Sequence, residues 1–391
     1  MKPKIILRKN EERRILSGHQ WIFSNEIDLI EGDTVNGDLV EVFSNKNSFL
    51  GTGFYNKNSL ISVRLISSQK VDDLNQLLKK LLVDAFVFRK NIYPGRKSYR
   101  VVFSESDFLP GLIIDKYNNT FVEQIYCFGI QRNIQMINSV LINEFGAENI
   151  FTLHDSHFRK LEGLPEADEI YLGEKNIELI DDGAIKYSVD FNRAQKTGFF
   201  FDQVENRFFS SRFVEGKSVL DAFCNSGGFG LHACKAGAKK ITFIDSSKSE
   251  IDCARNNFEI NNFKSPAEFI VADVFDYLDN CFHSGKNFDV VMVDPPSFAK
   301  SKKSLASAVK GYEKLNKTSL QIINKNGFLI TSSCSHHLSE EEFLQILSTA
   351  SKKSERRIQL IHKASAALDH PSLPQMEETK YLKFVILRVL D

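Results

Sequence analysis

The second half of the chain alternates strand-like and helix-like segments at a regular spacing, and few folds accommodate that pattern. Strand-like apolar runs occur at Ser218–Phe223, Ile241–Ile244, Glu268–Val271, Asp289–Val293, Gly327–Ser332, Arg357–His362 and Tyr381–Val389. Helix signals stand between them, including capping-box patterns formed by Ser247 with Glu250 and by Ser339 with Glu342. The alternation predicts an α/β domain built on a mostly parallel, doubly wound sheet. Ligands of such sheets bind at the carboxyl ends of the strands.

The first half follows two other patterns. Up to about Ser68, short β-rich runs alternate with turns containing glycine, asparagine and aspartate, which is typical of a small β-rich domain. Apolar residues then recur at helical spacing from Val71 to Ile92, and a mixture of strands and helix follows as far as Ile180. With 391 residues available, we expect a β-rich domain at 1–70, an α+β middle domain at 71–180 and the doubly wound domain at 181–391.

Composition narrows the class of protein. Lys+Arg and Asp+Glu both number 50, so nucleic acid would be bound by local basic patches and not by a global positive field. The 6 cysteines lack C-x-x-C pairing, which favours reduced thiols over a disulfide framework. The N-terminus has no signal-peptide core, and no apolar run reaches the roughly 20 residues that span a bilayer. We expect a cytoplasmic protein without a membrane segment or a bound metal.

A candidate nucleoside site follows three successive strands. Asp221 ends the first strand, and the small residues Asn225–Gly228 form the turn before the next helix, so a ligand can approach that backbone closely. Asp245 ends the second strand, where a carboxylate can accept from both ribose hydroxyls, and Asp273 ends the third, where it can accept from an adenine amino group. Each acid alone is also a normal helix cap or loop residue. Together they favour a bound nucleoside, with a dinucleotide as the alternative.

A polar and aromatic segment precedes this site. Residues 192–207 combine a polar turn around Lys196 with the aromatic cluster Phe199–Phe201. The segment fits a hydrophobic staple before a helix. It also fits the cationic and aromatic partners that a carboxylate and an adenine ring require. Both interpretations stay open at this point.

The fourth strand of this half runs into Asp294-Pro295-Pro296-Ser297-Phe298. Two prolines fix φ and remove backbone donors, so the turn holds Asp294 and Phe298 rigidly at the strand end. Nucleic-acid amino-methyltransferases use a similar turn to hold a flipped base, while a plain strand-terminating Pro-Pro is the alternative. Lys300, Lys302 and Lys303 follow, and they suit either phosphate contacts or a solvated loop.

Cys334 follows the strand Gly327–Ser332. Carbon 5 of a pyrimidine is a poor nucleophile toward a methyl sulfonium, and a thiolate that adds at carbon 6 makes it reactive. A lone cysteine is more often a small buried hydrophobe. Next to an Asp-Pro-Pro turn, a nucleophile is the favoured interpretation. The adjacent His336 and His337 lack a partner set with metal-ligand spacing.

Together these residues resemble a known family, the bacterial 23S rRNA cytosine-5 methyltransferases. Members of that family carry an N-terminal PUA domain, a middle α/β domain and a class I methyltransferase domain. The similarity runs nearly end to end. The motifs that carry it are Gly18–Ser24, Glu105–Leu112, Gln195–Gly198, Asp294–Phe298, Ser333–His337 and Asp369–Pro371.

The resemblance implies S-adenosylmethionine as the cofactor, ribosomal RNA as the partner and RNA binding by the PUA-like domain. It implies cofactor contacts from Lys196, Thr197, Gly198, Phe201, Asp202, Asp221, Phe223, Asn225, Ser226, Gly227, Phe229, Asp245, Ser246, Asp273, Val274 and Asp294. Cys334 is implied as the catalytic nucleophile with Asp294 beside it, and the candidates for substrate contact are Phe298, Lys300 and Lys302. The target nucleotide and the oligomeric state, a homodimer included, stay open.

Two departures from the family pattern bear on the chemistry. Val204 stands where the family usually has arginine. Pro296 stands where many cytosine-5 methyltransferases carry a second cysteine, so another group must remove the carbon-5 proton. Two other functions stay open: an amino-group methyltransferase for guanine or adenine, which does not need Cys334, and an RNA-binding ribosome-assembly factor with a vestigial transferase domain. The intact acids at the strand ends speak against the second.

Overall fold

A computed structural model describes residues 2–193, 196–299 and 301–391 of the chain, without the side chain of Lys302. The described residues form two compact units. The first comprises Met1–Ile180, Val189–Phe201 and Leu368–Thr379, and the second comprises Asp181–Ser188, Asp202–Ala367 and Lys380–Asp391. None of the helices in this part of the chain has the length and apolarity needed to cross a membrane.

The first unit begins with a β-rich segment. Its elements are β1 (Lys4–Leu7), α1 (Glu12–Leu16), β2 (Trp21–Phe23), β3 (Ile27–Glu31), β4 (Leu39–Phe43), β5 (Phe49–Tyr55) and β6 (Ile61–Ser67). The strands form a sheet in the order β2-β6-β5-β4-β1-β3. Alternate side chains, such as Ile5 and Leu7 on β1 and Val40 and Val42 on β4, are fully buried. One face of the sheet therefore closes on a small apolar core.

A second sheet follows in the same unit. Its elements are α2 (Leu74–Ile92), β7 (Ser98–Phe103), β8 (Leu112–Tyr117), β9 (Thr120–Ile125), α3 (Phe128–Arg132), α4 (Ile134–Phe145), β10 (Asn149–Thr152), α5 (Ser156–Glu162) and β11 (Ile170–Leu172). The strand order is β11-β10-β9-β8-β7. Asp73 caps α2 by accepting from the backbone nitrogen of Gln76 at 3.0 Å. The apolar face of α2, with Leu78 and Leu82, packs into the core of this sheet.

Buried ion pairs join the two sheets of the first unit. Arg64 on β6 donates to Glu105 at 2.8 Å and to Glu162 at 2.7 Å. Trp21 Nε1 donates to Glu105 Oε1 at 2.7 Å, so the motifs Gly18–Ser24 and Glu105–Leu112 meet here. Because removing one partner of a buried ion pair costs about 3–5 kcal/mol, these contacts tie the two sheets together.

The second unit is the doubly wound domain. A two-stranded sheet of β12 (Ile177–Asp181) and β13 (Lys186–Asp190) precedes it in the chain. The elements that follow are α6 (Val204–Ser210), β14 (Ser218–Ala222), α7 (Gly228–Lys235), β15 (Lys240–Asp245), α8 (Lys248–Ile260), β16 (Ala267–Val271), α9 (Val274–Ser284), β17 (Phe288–Val293), α10 (Leu305–Gln321), β18 (Ile323–Ser333), α11 (Glu340–Ser354), β19 (Ile358–Ala364) and β20 (Lys383–Val389). The main sheet has the order β16-β15-β14-β17-β18-β20-β19. Strands β14 to β18 are parallel to one another, and β20 is antiparallel to both β18 and β19. The predicted α/β class is confirmed.

The centre of this sheet is covered on both faces. Val219 and Leu220 on β14 and Val290 and Val291 on β17 are all fully buried. Central strands of a parallel sheet are continuous apolar runs for this reason. One of the two predicted capping boxes is confirmed in full, because Ser339 and Glu342 form it at the start of α11. At α8, Ser247 accepts from the backbone nitrogen of Glu250 at 3.4 Å, and the described contacts give no reciprocal bond.

One acid is buried in the first unit without a hydrogen-bond partner. Glu123 lies on β9 between β8 and β10, is fully buried, and neither of its carboxyl oxygens has a partner among the described residues. Burial raises the pKa of Glu123 to about 8. Glu123 is therefore protonated in the folded chain at neutral pH, whereas in the unfolded chain it ionises near pH 4 to 5.

This difference makes stability depend on pH. The folded state holds a proton that the unfolded state loses, so stability falls as the pH rises from about 4.5 to about 8. Glu123→Gln removes the ionisable group, and we expect it to raise the free energy of unfolding at pH 8 by on the order of 2 kcal/mol or more. The gain should be much smaller at pH 5. Urea unfolding at both pH values measures it, with the exposed Glu144→Gln as control, and equal pH dependence of wild type and Glu123→Gln contradicts it.

Candidate functional site

The carboxyl ends of β14, β15, β17 and β18 lie at one edge of the second unit's sheet, because these strands are parallel. Asp221 is the penultimate residue of β14, and Asp245 ends β15. Asp294 directly follows β17, and Cys334 directly follows β18. Four of the residues predicted from the sequence therefore occur at neighbouring strand ends.

Asp221 is buried and fixed to the helix that follows it. Its Oδ2 accepts from the backbone nitrogen of Gly230 at 2.7 Å, which ties the end of β14 to the first turn of α7. Burial raises the pKa of Asp221 to about 7; the bond from Gly230 opposes that rise, and the charges of Asp294 and Asp245 add to it. The nearby Arg207 guanidinium lowers the pKa. Acids and one buried cation thus share this end of the sheet.

The loop between β14 and α7 has an unusual backbone. Phe223, Asn225 and Gly227 have φ values of 61°, 47° and 87°. Left-handed backbone at non-glycine residues costs about 1–3 kcal/mol each and is concentrated at functional sites. At Gly228, a Cβ atom would lie 2.5 Å from Arg207 Nε. The start of α7 is therefore packed closely against the Arg207 side chain, which only a glycine at position 228 allows.

Two further predicted residues of this loop pack inward. The carbonyl oxygen of Ser226 accepts from Asn257 Nδ2 at 3.0 Å. Phe229 is buried, its ring parallel to that of Phe384 at 6.2 Å, and the Arg207 guanidinium lies 5.9 Å from its centroid. These contacts fix the position of the loop between β14 and α7.

The acids after β15 and β16 differ in their surroundings. Asp245 is half-buried and accepts from the backbone nitrogens of Asn225 at 3.1 Å and Ser247 at 3.0 Å. Ser246 is exposed beside it. Asp273 is exposed and caps α9 by accepting from the backbone nitrogen of Asp276 at 3.2 Å, while Val274 is buried. An ionised carboxylate has about four acceptor positions, so both acids keep capacity for a ligand.

Asp294 is oriented by two neutral donors. Its Oδ1 accepts from Gln203 Nε2 at 3.0 Å and from the hydroxyl of Ser332. Gln203 is itself held by Asn206, which donates from Nδ2 to Gln203 Oε1 at 2.7 Å. Burial raises the pKa of Asp294 above that of a free aspartate, although the two donated bonds act in the opposite direction. A fixed carboxyl group with a raised pKa can share a proton with a ligand nitrogen.

Asp202, another predicted cofactor residue, anchors the C-terminal part of the second unit. Its Oδ2 accepts from the Tyr381 hydroxyl at 2.6 Å, and its carbonyl oxygen accepts from the backbone nitrogen of Ala367 at 2.8 Å. The Tyr381 ring stacks on His336 with centroids 5.3 Å apart. Asp202 thereby fixes the segment that leads into β20.

A hydrogen-bond node connects the turn after β17 with the turn after β18. Ser335 Oγ lies 3.0 Å from Ser297 Oγ and 2.9 Å from the Tyr312 hydroxyl, and it accepts from the backbone nitrogen of Ala299 at 3.2 Å. Cys334 precedes this node, is partly exposed, and has its Sγ 3.9 Å from the carbonyl oxygen of Pro295. The node therefore fixes the thiol next to the Asp-Pro-Pro turn.

The residues predicted to contact the substrate are only partly described by the structure. Phe298 is half-buried, with its ring centroid 4.5 Å from that of Tyr312 and 6.1 Å from that of Phe275. Lys300 lies outside the described residues, as does the side chain of Lys302. Lys303 is exposed. Substrate contact by these side chains stays a prediction.

The turn Lys196–Gly198 belongs to the first unit. Lys196 Nζ lies 4.9 Å from the centroid of the Phe200 ring. The Tyr117 hydroxyl donates to the carbonyl oxygen of Thr197 at 2.9 Å, and Gly198 has a φ of 119°. Phe201 is buried, with its ring 5.2 Å from that of Tyr117. Gln195, from the same motif, lies outside the described residues.

Residues of the site that carry no prediction from the sequence include Gln203, Ser332 and Lys383. Gln203 lies inside the polar segment 192–207 but has no distinguishing spacing. Lys383 had a signal, because it is a charged residue directly before the buried apolar run Phe384–Leu387. Its Nζ donates to the carbonyl oxygens of Ser335 at 2.6 Å and Tyr381 at 2.8 Å. Within the described residues, no cluster of histidine, cysteine or acidic side chains is placed to hold a metal ion.

Comparison with known proteins identifies relatives along the whole chain. Residues 5–68 match the PUA-like domain family, and residues 191–358 match a family described as conserved hypothetical protein 95. A protein named ribosomal RNA large subunit methyltransferase I from Vibrio vulnificus (strain YJ016) is 36% identical over 398 residues, covering 100% of both chains. The protein of the same name from Aeromonas hydrophila is 35% identical, covering 99% of this chain and 100% of its own.

Solved structures share the fold over the same extent. The crystal structure of SMU.776, complexed with SAH, superimposes with a TM-score of 0.86 at 23% identity and covers 100% of both chains. A further structure, from Streptococcus mutans, gives a TM-score of 0.85 at 23% identity with the same coverage. The arrangement of sheets described above is therefore found in other solved proteins.

The packing at α7 leads to a stability prediction. At Gly230, a Cβ atom would lie 2.2 Å from the ring of Phe243, which is fully buried and stacks on Phe269 at 4.8 Å. Gly230→Ala must push α7 away from the sheet, and we expect it to lower the free energy of unfolding by about 2 kcal/mol. Denaturant unfolding measures the loss. Gly95→Ala is the control, because no atom lies within 4 Å of its added Cβ; equal effects of the two substitutions refute the packing argument.

Proposed function

The chain belongs to the ribosomal RNA large subunit methyltransferase I family, and we propose that it transfers the methyl group of S-adenosylmethionine to carbon 5 of a cytosine in large-subunit ribosomal RNA. The observation that carries the choice of carbon 5 is the position of Cys334. This thiol is partly exposed at the end of β18 and lies against the Asp294-Pro295-Pro296 turn. Methylation of an amino nitrogen requires no such nucleophile.

The fit of the cofactor is supported by the loop after β14 and by the acids at the strand ends. The loop turns at Gly227 with a φ of 87°, and α7 begins at Gly228. The N-terminal end of this helix therefore lies at the strand ends, where the Gly230 N–H donates to Asp221. Asp245 retains acceptor positions for the two ribose hydroxyls, and Asp273 retains them for an adenine amino group. When bound, S-adenosylmethionine supplies an electrophilic methyl group. Lys196–Asp202 and the remaining loop residues stay proposed contacts.

Cys334 acts on the base. Its thiolate forms a bond to carbon 6 of the cytosine, and the electron pair of the 5,6 double bond moves to carbon 5, which takes the methyl group. Loss of the proton from carbon 5 then restores the double bond and expels the thiolate. The sequence has Pro296 where a second thiol could assist this release, so a base other than cysteine accepts the proton.

Asp294 stabilises the base during attack. As the thiolate adds to carbon 6, negative charge develops on the pyrimidine, and a proton held by Asp294 can be shared with ring nitrogen 3. The raised pKa of Asp294 favours that protonated form. Gln203 and Ser332 fix the carboxyl group in one orientation. The base must leave its stack to reach this group, since a duplex hides the ring edge.

The amino-methyltransferase alternative shares every feature except the nucleophile. In that chemistry an aromatic ring after the Pro-Pro pair stacks on the flipped base. Here Phe298 is half-buried and packs against Tyr312 at 4.5 Å, so less of its ring is available to a base. The vestigial alternative has no support, because the acids of the site are present and fixed by hydrogen bonds.

The RNA partner and the domain roles belong to the same proposal. The match of residues 5–68 to the PUA-like family supports ribosomal RNA contact by a domain at 1–70. The middle domain at 71–180 and the methyltransferase domain at 181–391 complete the proposed division. A homodimer remains among the proposed assemblies.

Removing the thiol tests the proposed nucleophile. We expect Cys334→Ala to lower the rate of methyl transfer by about a thousandfold or more, because carbon 5 is then not activated. Binding of S-adenosylmethionine should stay within a few-fold of wild type. The measurement is transfer of labelled methyl groups to ribosomal RNA from cells that lack this protein.

The matched control for that test is Cys253→Ala, which removes a partly buried thiol on α8. Its activity should equal that of the wild type. If Cys334→Ala methylates ribosomal RNA at a rate comparable to the control, the nucleophile proposal fails and amino methylation takes its place.

Removing the acid after β15 tests the cofactor site. We expect Asp245→Ala to weaken binding of S-adenosylmethionine by about 2 kcal/mol, or roughly thirtyfold, because the ribose hydroxyls lose their acceptor. Titration calorimetry on the full chain measures the affinity. Asp252→Ala, which removes an exposed partner of Lys248, serves as control and should change little. Binding of NAD without any response to S-adenosylmethionine would falsify the cofactor assignment.

A further inference from the structure

Lys383 is a buried cation at the first position of β20. Its residue exposure is 7%, and the four residues that follow it, Phe384–Leu387, are all buried and apolar. A lysine in such a position is uncommon because burial penalises the charged form. The amino group is held by two carbonyl oxygens, those of Ser335 at 2.6 Å and Tyr381 at 2.8 Å. Its geometry is therefore fixed by the backbone on both sides.

The register of the sheet places Lys383 opposite the end of β18, directly before the proposed nucleophile. Lys383 is the direct antiparallel partner of Ser333, the last residue of β18. Cys334 is the next residue, and Ser335, whose carbonyl accepts from Lys383, comes directly after it. Cys334 thus lies between a residue paired with Lys383 and a residue bonded to it, and the side chains of Cys334 and Lys383 interact electrostatically.

We propose that Lys383 is a positioning residue that holds a positive charge beside Cys334 and favours the thiolate over the thiol at neutral pH. The charge acts in a partly buried setting, where an electrostatic interaction is stronger than in water. Ionisation releases the thiol proton to solvent, and the lysine keeps its own. The consequence for methyl transfer rests on the function proposed above, whereas the effect on the thiol does not.

The surroundings keep Lys383 charged at pH 7. Burial lowers the pKa of Lys383 to about 8, and the Cys334 and Glu342 charges oppose that decrease. The titratable groups that face this region are Cys334 after β18, Glu342 in the first turn of α11, Tyr312 on α10, and Tyr381 before β20 with His336 stacked on it. Glu342 is exposed, so its charge is screened by solvent.

A purely structural role would use Lys383 only as a donor to the two carbonyl groups. Lys383→Gln keeps an amide donor but removes the charge, and Lys383→Arg keeps both. These two variants therefore separate the charge from the hydrogen bonds. Lys380→Gln, at an exposed position three residues earlier, removes the same charge from the chain and is the matched control.

The experiment measures the rate at which iodoacetamide alkylates Cys334 in the full chain between pH 6 and pH 9.5, quantified by peptide mass spectrometry. In the wild type, the half-maximal rate should fall below the pH of about 8.5 that is typical of a free thiol. For Lys383→Gln, it should move up by about one pH unit, with alkylation at pH 7 slowed roughly tenfold. Lys383→Arg should stay within threefold of the wild type, and Lys380→Gln should match it.

The outcomes separate the two proposals. A wild-type profile centred at or above pH 8.5, or a Lys383→Gln profile that coincides with the wild type, overturns the role of Lys383. The wild-type profile alone tests the role of Lys383 if the Lys383→Gln variant does not fold. A shifted profile together with full methylation activity of Cys334→Ala leaves the role of Lys383 beside the thiol intact and rejects the nucleophile. If Lys383→Gln shifts the alkylation profile and also lowers kcat for methyl transfer with an unchanged KM for S-adenosylmethionine, the role of Lys383 and the role of Cys334 as nucleophile are both supported.

Discussion

The buried hydroxyl of Ser335 joins the two turns on which the proposed chemistry depends. It contacts Ser297 Oγ at 3.0 Å, the Tyr312 hydroxyl at 2.9 Å and the backbone nitrogen of Ala299 at 3.2 Å. Its own carbonyl oxygen accepts from Lys383 at 2.6 Å. Because these contacts come from the turn after β17, from α10 and from β20, the position of Cys334 is set by three separate parts of the fold. Such a node can hold a thiol at one distance from a base while the substrate enters and leaves.

On the cofactor side of the site, the charge of one buried cation offsets the charges of buried acids. Asp221 and Asp294 both have raised pKa values because they are buried, and the charge of Arg207 opposes the rise in each case. Gly228 is required for this arrangement, since a Cβ atom there would lie 2.5 Å from Arg207 Nε. Gly228 thus admits the guanidinium that offsets the acids.

Much of this site could be predicted from the sequence, and the rest has a clear physical reason for being missed. Strand ends at Asp221, Asp245 and Cys334 follow from apolar runs, because central parallel strands are buried on both faces and stop where polar residues appear. Gln203, Ser332 and Lys383 act on partners 91, 38 and 48 residues away. The hydrophobic periodicity of a short sequence segment cannot predict contacts between residues so far apart in the chain. The strands β1 to β3 and the helix α10 were not predicted for a related reason. Their sequence patterns are short or mixed, and tertiary packing decides which secondary structure they form.

Covalent attachment of the base to Cys334 is the step that distinguishes carbon-5 methylation from every alternative. It can be observed with ribosomal RNA that carries 5-fluorocytidine at the target, because fluorine cannot leave carbon 5 as a proton does. With S-adenosylmethionine present, the wild type should form an RNA complex that survives a denaturing gel, and peptide mapping should place the bond on Cys334. Normal methylation of unmodified RNA without any such complex on the fluorinated RNA would contradict the covalent mechanism.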